Sequence, residues 1–204
     1  MAYLISPLPT KPDLTRQYVL DANIWFFLLF RKHKNVRSAE DGYRNFIHSF
    51  GKHCVKQGPI IKLPCFIFSE VLNRALRGIY YRNFFEIVKK EIRQGSKKYD
   101  GIDEKDYYKK LYKTSSQYLE DYKKIVSDIQ SFSTFFEFQS DGIDRIINNQ
   151  DMSDIPHQTL DFPDYMLLNF AKNNNYILLT DDGDFNVENV EILTLNEKLL
   201  KKSN

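Results

Sequence analysis

The chain has 204 residues, of which 42% are hydrophobic, 27% charged and 15% aromatic, enough apolar mass for one generous domain with a real core. That composition excludes a disordered chain, and eight Gly with seven Pro exclude a collagen-like or linker-dominated one. Cys54 and Cys65 are too few for a disulfide scaffold or a thiolate zinc site. The longest apolar run, Ile24 to Phe30, is far shorter than the roughly 20 residues that span a bilayer. Met-Ala-Tyr-Leu-Ile-Ser-Pro at the start carries no basic stretch followed by a long apolar one, so no signal peptide is expected. The expectation is a cytoplasmic globular protein with no membrane partner.

A formal net charge of +2 hides an asymmetry. Arg31 to Lys98 holds sixteen Lys/Arg against five Asp/Glu, whereas Tyr99 to the end holds eleven against twenty. Such a division suits a polyanion-binding surface beside a site that collects cations, and it equally suits solvated helix faces of opposite sign.

In chain order, residues 1–17 read as an extended N-terminal arm. Tyr18-Val19-Leu20 predicts a short buried strand stopped by Asp21, and a helix follows from Asn23. Tyr43, Phe46, Ile47, Phe50 and Cys54 share one helical face. Gly58-Pro59 ends that element, Ile60 to Leu63 predicts a second strand, and Phe68, Val71, Leu72 and Ala75 predict another helix after Pro64. A helical insertion is expected over about 87–150, rich in Lys and Tyr. Its segment 97–124 fits either a base-stacking surface or amphipathic helices with solvated lysines. Phe135 to Phe138 predicts a third strand and Gly142 to Asn148 a short helix. Asp161-Phe162-Pro163-Asp164 predicts a helix start with Asp161 as N-cap. Asn173-Asn174-Asn175 stops that helix before the strand Tyr176 to Thr180, and Val190 to Leu195 predicts a last strand before a helical tail. Short apolar strands alternating with helices predict a single α/β domain, a three-layer α/β/α sandwich on a central parallel sheet.

Ligands of such folds sit beyond the carboxyl ends of the strands. Asp21 ends the first strand and Asp181-Asp182 end the strongest later one. Asp164 opens the helix leading into that later strand, and Glu70 lies on a helix flanked by apolar positions. Each acid also has an ordinary structural role: a cap for Asp21, an i,i+4 pair with Arg74 for Glu70, a first-turn charge for Asp164, a polar turn for Asp181 to Asp184. Clustered carboxylates repel, and a hard divalent cation relieves that repulsion. His33, His48, His53 and His157 fall at no metal-ligand spacing, so core or surface roles are expected for them.

The order of four motifs resembles the PIN-domain nucleases, the family that includes the VapC-type toxins of bacterial toxin–antitoxin pairs. They are Asp21-Ala22-Asn23, Ser69-Glu70-Val71-Leu72, the helix from Asp164 to Ala171, and Thr180-Asp181-Asp182-Gly183-Asp184-Phe185. The likeness covers about residues 18–85 and 160–195, and the middle is longer than in compact toxins. It implies a PIN-like fold and endonucleolytic hydrolysis of RNA with Mg²⁺ or Mn²⁺. Asp21, Glu70, Asp164 and Asp182 would be the acidic metal-site and catalytic residues, with Asp184 as an accessory ligand. The fourth position stays open among Asp181, Asp182 and Asp184. Asn23 and Thr180 would support the acids by hydrogen bonds. Arg74 and Arg77, one and two turns beyond Glu70, are the candidate RNA-backbone contacts. RNA is the expected partner, with an antitoxin protein and a second copy of the chain as further candidates. Two other readings stand beside this one. A non-catalytic module would bind RNA or protein with the same fold. A haloacid-dehalogenase-type phosphatase would need a second Asp where Asn23 stands.

Overall fold

A computed structural model describes residues 4–30, 38–140, 160–185 and 189–202. His33, His157 and the helix expected over Gly142 to Asn148 lie outside the described residues. The described chain divides into two compact units, residues 1–68 with 132–204, and Ser69–Ser131.

The first unit is built on six strands: β1 (Leu4–Pro7), β2 (Tyr18–Leu20), β3 (Ile61–Pro64), β4 (Phe136–Gln139), β5 (Ile177–Leu179) and β6 (Glu191–Thr194). All pairings are parallel, in the order β1-β6-β5-β2-β3-β4. The expected parallel α/β sheet is therefore present. The N-terminal arm does more than the sequence suggests, because Leu4–Pro7 pair with β6 as an edge strand. Its Leu-Ile-Ser-Pro sequence gives no alternation to announce a strand; the register with Glu191–Thr194 supplies it.

Around the sheet lie α1 (Ala22–Leu29), α2 (Ser38–His48), α3 (Gly51–Gln57), the start of α4 (Cys65–Ala75), α7 (Phe162–Asn174) and α8 (Glu197–Lys202). The single periodic face expected from Tyr43 to Cys54 is carried by two helices, α2 and α3. Gly58, at φ +94°, ends α3 in a conformation that glycine tolerates best. Register places Tyr18, Ile61, Phe136 and Ile177 in one row across one face. The Tyr18 ring meets Phe46 and Phe50, and Trp25 meets Phe136 edge-on at 5.3 Å. On the opposite face Val19, Leu178 and Ile192 are also fully buried, as expected for strands covered on both sides in a three-layer sandwich. Lys62 and Glu137 pair there across the outer strands β3 and β4.

The second unit begins inside α4. A π-helical turn, Leu76–Tyr80, joins α4 to α5 (Tyr81–Arg93) without a break, and α6 (Ser116–Gln130) follows. It has its own core: Val88, Tyr99 and Tyr107 are buried, with Phe84, Phe85 and Leu111 packed on them. Tyr112 is fully buried and donates to the buried Asp121 carboxylate at 2.7 Å, which also accepts from Gln117 at 2.9 Å. Tyr99, Tyr107 and Tyr112 thus spend their rings on internal packing and offer no open faces to bases.

Asp161 is the N-cap of α7, its carboxylate accepting the Asp164 N–H at 3.1 Å, and Asn175 closes the helix in the left-handed region at φ 56°. Asp161→Ala should lower the unfolding free energy by about 1 kcal/mol, and Asp161→Ser should recover most of that loss. Urea denaturation of both variants checks this; equal stability of Asp161→Ala and the parent chain would mean that the cap carries nothing.

Candidate functional site

Strand order fixes where to look. From β2 the chain steps outward to β3 and β4, then returns to place β5 on the other side of β2. The reversal between β2 and β5 is the topological switch point of the sheet, the place where folds of this kind bind ligands beyond the carboxyl ends of the strands.

Asp21 and Thr180 are the residues that leave β2 and β5 at that point. The Asp21 N–H donates to the Leu179 carbonyl at 2.9 Å, which carries the strand pairing to its last residue. Asp21 stands at the N-cap position of α1, yet its side chain makes no capping hydrogen bond. It turns instead across the strands: Thr180 Oγ1 donates to Asp21 Oδ2 at 2.9 Å and Asn23 Nδ2 donates to the same oxygen at 3.1 Å. Asp21 is only 4% exposed and Thr180 is fully buried.

Thr180 is used twice, since its hydroxyl oxygen also accepts the Asp182 N–H at 3.0 Å. Asp182 in turn accepts the Asp184 N–H on Oδ1 at 3.0 Å. Two successive side-chain-to-backbone bonds therefore shape the acidic turn. The negative charge of Asp182 acts on Asp21. Asp181 faces elsewhere, with Oδ1 3.2 Å from the Tyr43 hydroxyl, and Asp184 is exposed.

Burial pushes the Asp21 carboxyl above the usual carboxylate range, and the negative charge of Asp182 pushes it the same way; the hydrogen bonds from Thr180 and Asn23 oppose the rise. An acid so placed is costly to ionise unless a cation joins it.

Asp164 is half-buried in the first turn of α7. Because α7 runs back over the sheet to feed β5, that turn lies at the carboxyl edge where Asp21 and Asp182 lie. Glu70, Arg74 and Arg77 belong to the second unit, where they line one groove with Asn73. The Arg77 guanidinium sits 5.3 Å from the centre of the Tyr108 ring. Among the described residues, no three His, Cys, Asp or Glu side chains converge closely enough to make a metal cage by themselves.

Sequence reasoning missed Tyr43 and Asn196. Tyr43 was legible only as one apolar position on a helix face, and its hydroxyl partners lie 137 to 152 residues away. Asn196 donates to the Asp181 carbonyl at 2.6 Å, while its Oδ1 accepts the Lys198 N–H at 2.9 Å to start α8. An Asn immediately before a helical tail is a visible cap signal, and its second bond is not.

No known protein family, curated protein or solved structure matches this chain.

The raised pKa of Asp21 makes a signed prediction. The folded chain holds this proton more tightly than the unfolded one, so the associated stability is present at low pH and is lost as pH rises through the raised value. Asp21→Asn keeps an oxygen acceptor and has no charge to bury. Measured by urea unfolding in EDTA, the stability of the variant relative to the parent should therefore climb between pH 4 and pH 7. A relative stability that falls over this interval would mean that the Asp21 carboxylate is held favourably without a cation.

Proposed function

We propose that this protein is a metal-dependent ribonuclease that hydrolyses RNA phosphodiester bonds by attack of water. The observation that carries the reading is the buried Asp21 beside Asp182 at the switch point of a parallel sheet, two acids whose repulsion calls for a cation. The PIN-like order of the motifs adds the reaction class.

The donor set fits a hard cation. Mg²⁺ is commonly held by one or two carboxylates with waters in the remaining positions, so a cage of three acids is unnecessary. Asp21 and Asp182 would hold it, with Asp164 the remaining acid at that edge of the first unit. Bound there, Mg²⁺ or Mn²⁺ would supply an activated water and neutralise charge growing on the phosphate. The chain's own residues supply order. Thr180 and Asn23 both bond Asp21 Oδ2 and so position the carboxylate that would meet the cation. The Asp184 N–H does the same for Asp182 by engaging Oδ1. A positioned carboxylate costs less reorganisation when the phosphate arrives.

The second reading is a non-catalytic module that binds RNA or protein with the same fold. Incubating the pure chain with assorted RNAs in Mg²⁺, Mn²⁺ or EDTA separates the two. Cleavage that EDTA abolishes, and that Asp21→Asn and Asp182→Asn each lower by about 100-fold or more, is expected. Cleavage indifferent to EDTA, or equal in either variant, would overturn the assignment of metal or ligand.

RNA would be gripped through its phosphates by Arg74 and Arg77, which share one groove of the second unit. Replacing both with Ala should lower the dependence of log affinity on log salt by about two phosphate contacts, roughly one per arginine. RNA affinity across a salt series, with Ca²⁺ in an Asp21→Asn background, measures this. An unchanged slope would assign the arginines to another role, for instance holding Tyr108.

A further inference from the structure

We propose that Tyr43 is a positioning residue for the acidic turn, one that holds Thr180 and Asp181 from behind so that Asp182 stays tied to Asp21. The inference rests on the nuclease reading for its functional consequence and on geometry for its substance.

Tyr43 lies on α2 and is fully buried, with its ring stacked on Phe27 at 5.9 Å. The hydroxyl lies 2.9 Å from the Thr180 carbonyl, 3.2 Å from Asp181 Oδ1 and 3.2 Å from Thr194 Oγ1, and it accepts the Leu195 N–H at 2.6 Å. A phenol has one proton and two lone pairs. The Leu195 N–H fills one lone pair, the contact with Thr194 Oγ1 can run in either direction, and the single proton is within reach of the Thr180 carbonyl and the Asp181 carboxylate. Both of those acceptors are in the turn that follows β5.

The turn is therefore held on two sides. On one, Thr180 Oγ1 bridges Asp21 and the Asp182 N–H. On the other, the Tyr43 hydroxyl is within hydrogen-bond reach of the Thr180 carbonyl and the Asp181 carboxylate, its one proton serving either, and Asn196 donates to the Asp181 carbonyl. With Asp181 drawn toward Tyr43, Asp182 is the acid of the turn tied to Asp21, its N–H bonded to the same Thr180 hydroxyl that bonds the Asp21 carboxylate. A hydroxyl bonded to β6 and to the loops that follow β5 and β6 also keeps the two strand ends in step.

The test is Tyr43→Phe, which removes one oxygen and keeps the stacked ring. Asn196→Ser is the second variant, retaining a capping oxygen for α8 while losing the donor to Asp181. Three quantities are read: Mn²⁺ affinity by calorimetry, RNA cleavage separated into kcat and KM, and hydrogen exchange at the Asp182 and Asp184 amides. The expected result is about 10-fold weaker Mn²⁺ binding, a kcat lowered about 10-fold with KM within about 3-fold, and faster exchange at those amides while β2 amides keep their rates. Either variant suffices if the other does not fold. Unchanged amide exchange with unchanged Mn²⁺ affinity would overturn the proposal and leave Tyr43 a packing residue. If the parent chain neither binds Mn²⁺ nor cleaves RNA, the nuclease reading fails, and amide exchange alone still decides whether Tyr43 orders the turn.

Discussion

The hydrogen bond from the Thr180 hydroxyl to the Asp21 carboxylate is the constraint on which the rest of the site depends. It joins the ends of two neighbouring strands whose side chains are 159 positions apart in sequence. It also settles what the acid does locally. An Asp before a helix would ordinarily cap it, but Asp21 is recruited across the sheet, and α1 starts without a side-chain cap. Exchanging a cap for a cross-strand bond is unfavourable for α1 alone. Its return is a carboxylate held at the one edge where an α/β sheet opens to ligands.

From that bond the polar architecture spreads in layers. Asn23 shares the Asp21 oxygen, Asp182 hangs from the Thr180 hydroxyl by its backbone, and Asp184 hangs from Asp182. Behind them Tyr43 and Asn196 bond the main chain of the same turn, and Thr194 accepts the Asn196 N–H. Almost all of these donors are neutral. They fix positions without cancelling charge, which is why burial and Asp182 together still raise the Asp21 pKa.

How much of this was legible in the sequence follows from how local each signal is. The strands Tyr18–Leu20 and Ile177–Leu179 were visible because strands buried on both faces are continuously apolar. The Asp161 cap and the Asn175 stop were visible because helix ends carry their own chemistry within three residues. Asp21 and Asp182 could be singled out because ligands sit at strand ends in this architecture, whereas the supporting roles of Asn23 and Thr180 were implied only by the likeness of the motifs. By contrast β1 was read as an arm, since four residues with a proline become a strand only when β6 lies alongside. Tyr43 looked like any core aromatic. Its periodicity reported the burial of the ring and said nothing of where the hydroxyl would end. The tyrosines of the second unit carried the same ambiguity: abundant Lys and Tyr describe both a nucleic-acid surface and a small aromatic core, and only packing tells them apart.

The discontinuity of the first unit has a consequence in time. Its two halves are separated by the whole of Ser69–Ser131, so β2 waits for β5 until most of the chain has been made. Parallel pairing over such a separation is slow to nucleate, because the loop must close before any contact rewards it. Ser69–Ser131 has its own aromatic core and its own buried Tyr112–Asp121 bond, so it can condense first and shorten the effective loop that remains. During synthesis on the ribosome, itself largely RNA, Asp21 therefore emerges long before Thr180 and Asp182 exist to complete its surroundings. An acid cluster assembled from residues 159 or more positions apart is in this sense self-timed: it forms only once residues as late as Asp182 have left the exit tunnel.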